Sequence, residues 1–432
     1  MLDSLRSYES RNITYMEEDG SWPIVWRRAR GSTVWDAEGR KYLDLTAAFG
    51  VVAAGHANPR VVRAGQRQMA QLLHAMGDVH PHPLKGRLVR ELSRITFERW
   101  TGSAENGAGH TAKTILCNSG FESVEAALKT ALLATGRSGV IAFEGAYHGL
   151  GYGALNATHR AHFRGPFRSQ LGEFGRFAPF PTDPSHLDAS LEAVQRLCRR
   201  RTIGAILVEP IQARGGLNIP PPGFLPALRR ICNELGLLLI LDEIYTGFGR
   251  TGKWFACEHS GVVPDLICLG KALTGGFPMS ACVGGASVMD AAWPVSTGEA
   301  IHTSTFLGHP VGCAMALAQI QEIGRRRLPE RAARLGQRLL HDLQALPLAQ
   351  DRVQVRGQGL LVGIELCGQD GGHDGATALA AVKSLLGKGF ILLPEGEQGQ
   401  VISLTPPLTI SERELATAVQ ALAEVLGQVL AA

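Results

Sequence analysis

The sequence predicts an α/β fold, with a large domain built on a mostly parallel central sheet and a smaller α+β domain. Between residues 112 and 285, short apolar segments alternate with segments whose apolar residues recur at helical spacing. This alternation is typical of buried parallel strands joined by helices that cover both faces of a sheet. From about residue 312 the pattern changes to long helical segments with isolated strands between them, which predicts a second, smaller unit.

The predicted elements follow in chain order. A hairpin over residues 33–45, with its turn at the sequence Asp-Ala-Glu-Gly of residues 36–39, comes first. Strands of the central sheet are predicted at 114–117, 139–143, 203–208, 237–241 and 266–269, with helices at 122–135 and 225–235. Helices at 313–326 and 330–346 and strands near 359–366 and 401–404 follow. We expect an N-terminal segment (1–58) that packs with the small domain, a large domain (59–311) and a C-terminal small domain (312–432).

Composition excludes several classes of protein. The 432 residues are 45% hydrophobic and 19% charged, which is too apolar for a disordered chain. A formal charge of +4 gives no reason to expect a nucleic-acid partner. We find no membrane-crossing segment and no secretory signal, so we expect a cytoplasmic protein without a membrane partner. The eight cysteines are scattered singly, without the spacing of a zinc site, so no metal is expected.

Polar residues that follow the predicted strands are the first candidates for chemistry, because ligands of parallel sheets bind beyond the carboxyl ends of the strands. Ser119 and Gly120 lie between the first strand and a helix, where free backbone N–H groups favour an anion such as phosphate. The same residues also suit an ordinary helix cap. Both interpretations remain open on this segment alone.

A carboxylate and a lysine follow the next two strands of the central part. Asp242 and Glu243 end the strand predicted at 237–241, and a buried carboxylate there needs a cationic or hydrogen-bonding partner. Lys271 follows the strand at 266–269 in a glycine-rich, apolar setting. A desolvated lysine is a candidate nucleophile for Schiff-base chemistry, although a structural lysine would satisfy the same pattern.

The segment Gly-Phe-Gly-Arg-Thr-Gly at 247–252 has the glycine spacing of a dinucleotide-binding loop. The match is weak, because the fingerprint requires the first glycine in the turn at the strand end and a helix directly after it. Residues 242–246 intervene, and residues 253–264 show no helical pattern.

Taken together, the candidates match the needs of pyridoxal phosphate. Its phosphate requires backbone donors, its ring a stacking partner such as Tyr147, its pyridine nitrogen a carboxylate, and its aldehyde a lysine. The chain resembles the class III aminotransferases, fold type I pyridoxal-phosphate enzymes that include ornithine, acetylornithine and 4-aminobutyrate aminotransferases. The resemblance covers nearly the whole chain through the segments VWDAEGRKYLDL, CNSGFESVEAAL, FEGAYHG, VEPIQARGG, LDEIYTGFGRTG, LGKALTGGFPMSA, HTSTFLGHPVGCA, VRGQGLLVGIEL and TPPLTI.

The resemblance implies a role for each matching residue. Lys271 would form the Schiff base with the cofactor, and Asp242 would pair with its pyridine nitrogen. The other implied cofactor contacts are the phosphate-binding residues Ser119, Gly120 and Phe121, the ring-packing residues Tyr147 and Ile244, the nearby His148 and Glu209, and Thr305 from a neighbouring subunit. The resemblance further implies a large cofactor-binding domain and a homodimer whose active sites lie at the subunit interface.

Three positions depart from the family pattern. Tyr245 replaces a glutamine beside the cofactor hydroxyl, where it retains a hydrogen-bond donor but crowds the site. Ser403 stands where many members have a carboxylate-binding arginine, and Arg214 replaces the glutamate that balances it. Arg214 therefore either binds a substrate carboxylate from another wall or is an ordinary solvated arginine. The arginines at 160, 164 and 168 are alternatives for the same task.

The resulting prediction is a transaminase that moves an amino group between a primary amine or amino acid and a 2-oxo acid through Lys271. A pyridoxal-phosphate racemase, epimerase or aminomutase is the alternative, because these enzymes share the early chemistry. A nicotinamide-dependent oxidoreductase and a non-catalytic relative are weaker alternatives. The sequence leaves the donor, acceptor, stereochemistry and pathway open.

Overall fold

The N-terminal part of the chain forms a small sheet and several helices. The computed structural model describes residues 1–102, 111–348 and 351–431. Strand β2 pairs antiparallel with β3, with Thr33 opposite Leu43, so the predicted hairpin is confirmed. The elements of this part are α1 (Leu2–Tyr8), β1 (Trp26–Arg30), β2 (Thr33–Asp36), β3 (Lys41–Asp44), α2 (Ala47–Gly50), α3 (Pro59–Gln71), α4 (Pro83–Ile95) and α5 (Phe97–Thr101).

A seven-stranded sheet in the order β4-β10-β9-β8-β7-β5-β6 forms the centre. Strand β10 is antiparallel to both of its neighbours, and the pairs β9–β8, β8–β7, β7–β5 and β5–β6 are parallel, which confirms the predicted mostly parallel sheet. The elements are β4 (Ala112–Cys117), α6 (Gly120–Thr135), β5 (Gly139–Phe143), α7 (Tyr152–Ala157), α8 (Ala161–Arg164), β6 (Gly175–Ala178), α9 (Leu187–Cys198), β7 (Ile203–Val208), α10 (Phe224–Leu235), β8 (Leu238–Asp242), β9 (Leu266–Leu269), β10 (Ser280–Gly285) and α11 (Ala286–Ala292).

Strands β6 and β10 were absent from the sequence prediction. The segment Gly-Arg-Phe-Ala of β6 has no continuous apolar pattern, and β10 ends in Gly284 and Gly285, which weaken a strand signal. Tertiary packing explains β10: a Cβ on Gly284 would lie 2.4 Å from Leu266. A glycine is therefore needed where β10 passes β9.

The C-terminal part is a separate antiparallel sheet in the order β11-β12-β15-β14 with helices around it. Strand β13 does not join this sheet but pairs in parallel with β3, so Phe390 lies opposite Leu43. The N-terminal segment thereby contacts the C-terminal part. The elements are α12 (Pro310–Arg325), α13 (Leu328–Gln344), β11 (Val353–Gln358), β12 (Leu361–Leu366), α14 (Gly375–Gly387), β13 (Phe390–Ile391), β14 (Leu393–Glu395), β15 (Val401–Leu404) and α15 (Glu412–Ala431).

Helix α15 is long and apolar enough, by length and composition, to cross a bilayer, with a mean hydropathy of 1.2 over its most apolar window. The expectation that no segment of the chain is long and apolar enough to cross a membrane is therefore wrong for this helix. It packs against α13 and α14 and buries Leu415, Leu422, Val425 and Leu426. Its apolar residues thus contribute to the core of the C-terminal part.

Because the central strands are buried, the polar residues of this sheet lie mainly after the strand ends. Every residue of β5 and β7 is buried, as are the last four residues of β8, and each buried aliphatic side chain contributes about 1.5–3 kcal/mol. Since the carboxyl ends of parallel strands meet at one edge, the residues that follow β4, β5, β7, β8 and β9 come together there.

Candidate active site

A cavity of about 400 Å³ lies at this edge of the central sheet. It is formed by the loops that follow the parallel strands, so it collects residues from distant parts of the sequence. All of the predicted site residues except Ser119 and Thr305 line it. The lining comprises Gly120, Phe121, Tyr147, His148, Gly149, Leu150, Glu209, Ile211, Ala213, Arg214, Asp242, Ile244, Tyr245, Thr246 and Lys271.

Asp242, the last residue of β8, forms a buried pair with His148. Its Oδ2 atom lies 2.8 Å from Nδ1 of His148, and Oδ1 accepts a hydrogen bond from the Ile244 N–H at 3.1 Å. The side chain is only 5% exposed. These contacts fix the orientation of the carboxylate and assign the hydrogen on Nδ1 of His148 to the shared bond.

Glu209 follows β7, and its carboxylate contacts both the loop after β5 and the loop after β7. Its carboxylate accepts hydrogen bonds from the N–H groups of Tyr147 at 3.0 Å and Ala213 at 3.2 Å. Burial raises the pKa of Glu209, whereas His148 lowers it. Glu209 therefore positions the backbone of Tyr147 beside the cavity.

Lys271 begins a short 3₁₀ turn directly after β9. Its backbone has φ of 37°, in the left-handed region that costs a non-glycine residue about 1–3 kcal/mol. Its Nζ lies 4.6 Å from the ring centroid of Tyr245. Burial lowers the pKa of Lys271, and Asp242 and Glu209 partly oppose this shift. The strained turn thus presents an amine that is more readily neutral than an ordinary lysine.

The N-terminus of α6 has the features of an anion site. The Glu122 carboxylate accepts from the N–H groups of Asn118 at 2.6 Å and Ser119 at 3.2 Å. The Ser119 hydroxyl is buried without a hydrogen-bond partner in the described structure. No described group accepts from the N–H of Gly120 or Phe121. These donors, at the positive end of a helix, suit a phosphate.

Ile244 packs close to this helix end. A Cβ on Gly120 would lie 3.1 Å from its Cδ1 atom, and one on Gly270 would lie 3.3 Å from its Cγ2 atom. Two glycines therefore make room for the Ile244 side chain, which lies between the anion site and Lys271.

Tyr245 directs its hydroxyl toward Thr405. Its oxygen lies 3.2 Å from Oγ1 of Thr405, and that hydroxyl donates to the Thr46 carbonyl at 3.1 Å. Tyr245 must therefore be the donor to Thr405, because the Thr405 hydrogen is already used. Burial raises the pKa of Tyr245 to about 12, so the phenol stays protonated. Its ring, rather than its hydroxyl, faces Lys271.

Arg214 lines the cavity and is paired with an acid that the sequence analysis missed. Its guanidinium lies 4.9 Å from the Tyr147 ring centroid, and its Nε lies 3.5 Å from Oε2 of Glu395. Glu395 is on β14, where Leu393 opposes Ser403 of β15. Because Glu395 and Leu393 are two residues apart, Glu395 shares a face of this hairpin with Ser403. The polar turn at 396–400 between two apolar segments was a hairpin signal that could have revealed it.

The other three arginines have different partners. Arg160 donates to the Glu397 carbonyl at 2.9 Å. Arg164 lies 4.8 Å from the Phe177 ring centroid, and exposed Arg168 pairs with Glu173 at 3.2 Å. Arg164 and Arg168 therefore contact residues outside the cavity lining. Arg160 lies near Glu395.

Two further sequence candidates lie outside the cavity. Thr305 is exposed, and its neighbour Ser304 accepts a hydrogen bond from Asn118 at 3.2 Å. The glycine-rich segment 247–252 forms turns, and no α-helix follows it directly. Its Arg250 is buried and donates to the carbonyls of Leu360 at 2.9 Å and Pro406 at 2.6 Å, so this segment joins the two parts of the chain instead of forming a dinucleotide loop.

The described residues fit pyridoxal phosphate. The unpartnered Ser119 hydroxyl and free helix N–H groups suit its phosphate, the Asp242–His148 pair suits its pyridine nitrogen, and Lys271 suits its aldehyde. No group of three or more metal-ligating side chains is found among these parts of the chain.

Comparisons with known proteins agree with this fit. Residues 14–426 match the class-III aminotransferase family. The chain is 35% identical to the acetylornithine aminotransferase of Methanosarcina acetivorans over 97% of this chain and 95% of that protein. It is 37% identical to the putrescine aminotransferase of Pectobacterium atrosepticum, over 93% and 82%.

The fold is also found in solved structures. The ornithine aminotransferase of Toxoplasma gondii superposes with a TM-score of 0.83 at 28% identity, covering 99% of this chain and 94% of that one. A second structure of that enzyme has partial occupancy of pyridoxal phosphate at its active site. The chain belongs to the class-III aminotransferase family, and it is a pyridoxal-phosphate-dependent transaminase.

Proposed function

We propose that Lys271 is the residue through which this transaminase moves an amino group between a primary amine or amino acid and a 2-oxo acid. The observation that supports this most directly is the placement of the Lys271 amine and the Asp242–His148 pair in one cavity, beside a free helix N-terminus. The Asp242–His148 pair would bind the pyridine nitrogen of the cofactor, and the N-terminus of α6 would bind its phosphate. The Lys271 amine lies in the same cavity as both.

Each side chain has a distinct task. Pyridoxal phosphate, when bound, supplies an electron sink for the charge that develops on the amine carbon of the substrate. Asp242, held by His148, would keep a proton on the pyridine nitrogen. The remaining contacts are the phosphate donors Ser119, Gly120 and Phe121, the ring-packing side chains of Tyr147 and Ile244, and Glu209, which positions the Tyr147 loop.

Lys271 is suited to hold and move a proton at Nζ. Burial favours its neutral form, and a neutral amine can take a proton from the substrate carbon. In amino transfer, Nζ of Lys271 would deliver that proton away from the substrate carbon, and the oxo product would then leave after hydrolysis. Delivery of a proton to the opposite face of the substrate carbon would give an isomer instead. The named relatives are aminotransferases, which supports transfer.

Arg214 is the proposed contact for a substrate carboxylate. Its side chain is 37% exposed and lines the cavity beside Tyr147. A guanidinium forms charge-assisted, often bidentate hydrogen bonds with a carboxylate. It would therefore supply the charge that Ser403 cannot.

A homodimer is the proposed assembly. The segments 72–79 and 301–306 contact each other through Thr303 and Asp78 at 2.6 Å and through His74 and Phe306, whose ring centroids are 5.4 Å apart. They form an exposed apolar surface that adjoins the helix N-terminus through Ser304. Its exposed apolar residues are Leu72, Leu73, Met76, Val79, Ile301 and Phe306. Thr305 of the partner subunit would then reach the phosphate.

A cytoplasmic location is proposed as well. All eight cysteines are unpaired, and seven of them are buried. Unpaired, buried thiols suit a reducing compartment.

The test is a panel of primary amines and 2-oxo acids with products identified by mass spectrometry. The wild-type enzyme should convert an amine to a carbonyl compound while the acceptor becomes an amino acid. Lys271→Ala should abolish this exchange, whereas Lys253→Ala, which removes an exposed lysine that donates to the Glu258 carbonyl, should retain it. Isomerised substrate without acceptor conversion would contradict the proposal.

A further inference from the structure

We propose that the groove between helices α3 and α12 is a binding site for a small ligand that carries a chain of phosphate groups. The groove has a volume of about 480 Å³ and shares no lining residue with the active-site cavity. Its charged lining residues are Arg60, Arg63, Arg67, Arg325 and Glu322. The site is therefore separate from the residues that carry the amino transfer.

The spacing of the arginines on α3 places them on one face of that helix. Arg60, Arg63 and Arg67 are separated by three and four residues, so they form one stripe along the helix surface. The two helices pack closely, because a Cβ on Gly65 would lie 2.9 Å from Sδ of Met315 on α12. This packing holds the arginine stripe beside α12.

Glu322 of α12 is the acid of this groove, and its side chain is only 4% exposed. Its Oε1 and Oε2 atoms accept hydrogen bonds from Nη2 and Nε of Arg325 at 2.9 and 3.1 Å. Nε of Arg60 lies 3.5 Å from Oε2, and Nη1 of Arg326, directly after α12, lies 3.8 Å from Oε1. One carboxylate thus orients three guanidiniums and neutralises only one of their charges.

The groove keeps exposed positive charge. The ion pairs of this groove all end at Glu322, which leaves Arg63 and Arg67 unpaired among the described residues. The side chains of Arg60 and Arg325 are 58% and 53% exposed in spite of their ion pairs. Four arginines and one glutamate give the lining a net charge of +3, whereas the whole chain carries only +4. Positive charge is therefore concentrated at this groove.

Charge and geometry favour a chain of phosphates over a single carboxylate. A carboxylate brings one negative charge, so it would leave most of the charge of the groove unneutralised. Guanidiniums form parallel N–H···O bonds with phosphate oxygens, and several of them can bind successive phosphates of one chain. Arg60 and Arg67 are separated by about 10 Å along the helix axis, which is comparable with the length of an extended triphosphate.

A second copy of this chain is a poor occupant of the groove. A two-fold interface brings the same surface patch of both copies together, so it would place one arginine stripe against the other. Like charges at such distances repel each other. The surface at 72–79 and 301–306, which we assign to the homodimer, includes none of the groove residues.

Calorimetric titration of the cofactor-loaded enzyme tests the site and does not depend on turnover. The probes are tripolyphosphate, ATP, inorganic phosphate and adenosine, each at about 0.15 M salt. The test variant is Arg63→Gln/Arg67→Gln. Its matched control is Arg87→Gln/Arg90→Gln, which removes two exposed arginines of helix α4 that do not line the groove. Cofactor absorbance and the melting temperature without probe verify that each variant is folded and loaded.

We expect tripolyphosphate and ATP to bind the wild type with a Kd below about 1 mM, and inorganic phosphate to bind at least about tenfold more weakly. Adenosine, which has no phosphate, should not bind. Arg63→Gln/Arg67→Gln should raise the Kd of tripolyphosphate by about tenfold or more and weaken its salt dependence. The control variant should change this Kd by less than about threefold. Equal affinities for tripolyphosphate and ATP would identify the phosphate chain as the whole ligand, and tighter binding of ATP would identify a nucleotide.

Three results would overturn the proposal. The absence of saturable binding below about 1 mM would show that the arginines are only a solvated surface. An equal loss of affinity in the two double variants would show that the probe responds to overall charge and not to this groove. Tighter binding of a DNA duplex than of tripolyphosphate would assign the arginines to a nucleic-acid surface instead.

Discussion

Nδ1 of His148 lies 2.8 Å from Oδ2 of Asp242, and both side chains are buried in the wall of the cavity. This contact makes the Asp242 carboxylate part of a fixed pair instead of a free acid. The Nε2 atom of His148 has no partner in the described structure.

Replacing Asp242 by Asn should preserve the fold and reduce turnover. The amide cannot keep a proton on the pyridine nitrogen, and removing an electrostatic contact of this kind typically costs about 10²–10³ in kcat. Steady-state kinetics of the cofactor-loaded variant measure this loss. A variant with wild-type kcat would contradict the role of Asp242.

The His148→Gln variant tests the contribution of His148 to the Asp242–His148 pair. Because His148 holds Asp242 without reaching the reacting atoms, we expect a smaller loss of kcat, of about tenfold or more, from the looser carboxylate. The absorbance of bound cofactor should also change, since this signal depends on protonation of its ring. An altered kcat with an unchanged spectrum would assign His148 a purely structural role.

The pH dependence of cofactor loading tests the environment of Lys271. Burial lowers the pKa of its amine from the ordinary value of 10.5, so the reactive neutral form becomes populated at lower pH than in a solvated lysine. The rate of loading the cofactor-free enzyme should therefore rise with a midpoint below pH 10.5. Asp242 raises this pKa, so Asp242→Asn should move the midpoint lower still. A midpoint that moves upward would contradict the arrangement.

Gly120→Ala should weaken cofactor binding. The new Cβ would lie 3.1 Å from Cδ1 of Ile244, and displacing that side chain crowds the site by an amount that typically costs about 1–3 kcal/mol. Titration of the cofactor-free variant with pyridoxal phosphate should give a Kd about fivefold or more above that of the wild type. Gly86→Ala is the matched control, because it is also helical and its Cβ would meet nothing within 4 Å. Equal affinities for the two variants would place Ile244 away from the cofactor.

Mixing two inactive variants tests the shared site. If Thr305 of one subunit serves the phosphate of the other, heterodimers of Lys271→Ala and Thr305→Glu contain one site with both native residues. Activity should recover partially after subunit exchange. No recovery in heterodimers verified by mass spectrometry would argue against the intersubunit role of Thr305.

Much of the fold and site could be predicted because local patterns determine them. Asp242 and Lys271 each follow a buried apolar strand, so the geometry of a parallel sheet alone brings them to one edge. Strand β10 was missed because its glycines are required by packing against β9, which no local pattern records. Glu395 was missed because its approach to Arg214 depends on the β14–β15 pairing and on the packing of two separate parts of the chain.

The central claim is that the Lys271 amine carries the amino transfer, and reductive labelling tests it most directly. The cofactor-loaded enzyme is treated with borohydride, digested and sequenced by mass spectrometry, in parallel with turnover assays of Lys271→Ala. We expect the label on Lys271 alone and no turnover by the variant. A label on another lysine, or substantial turnover by Lys271→Ala, would contradict the account.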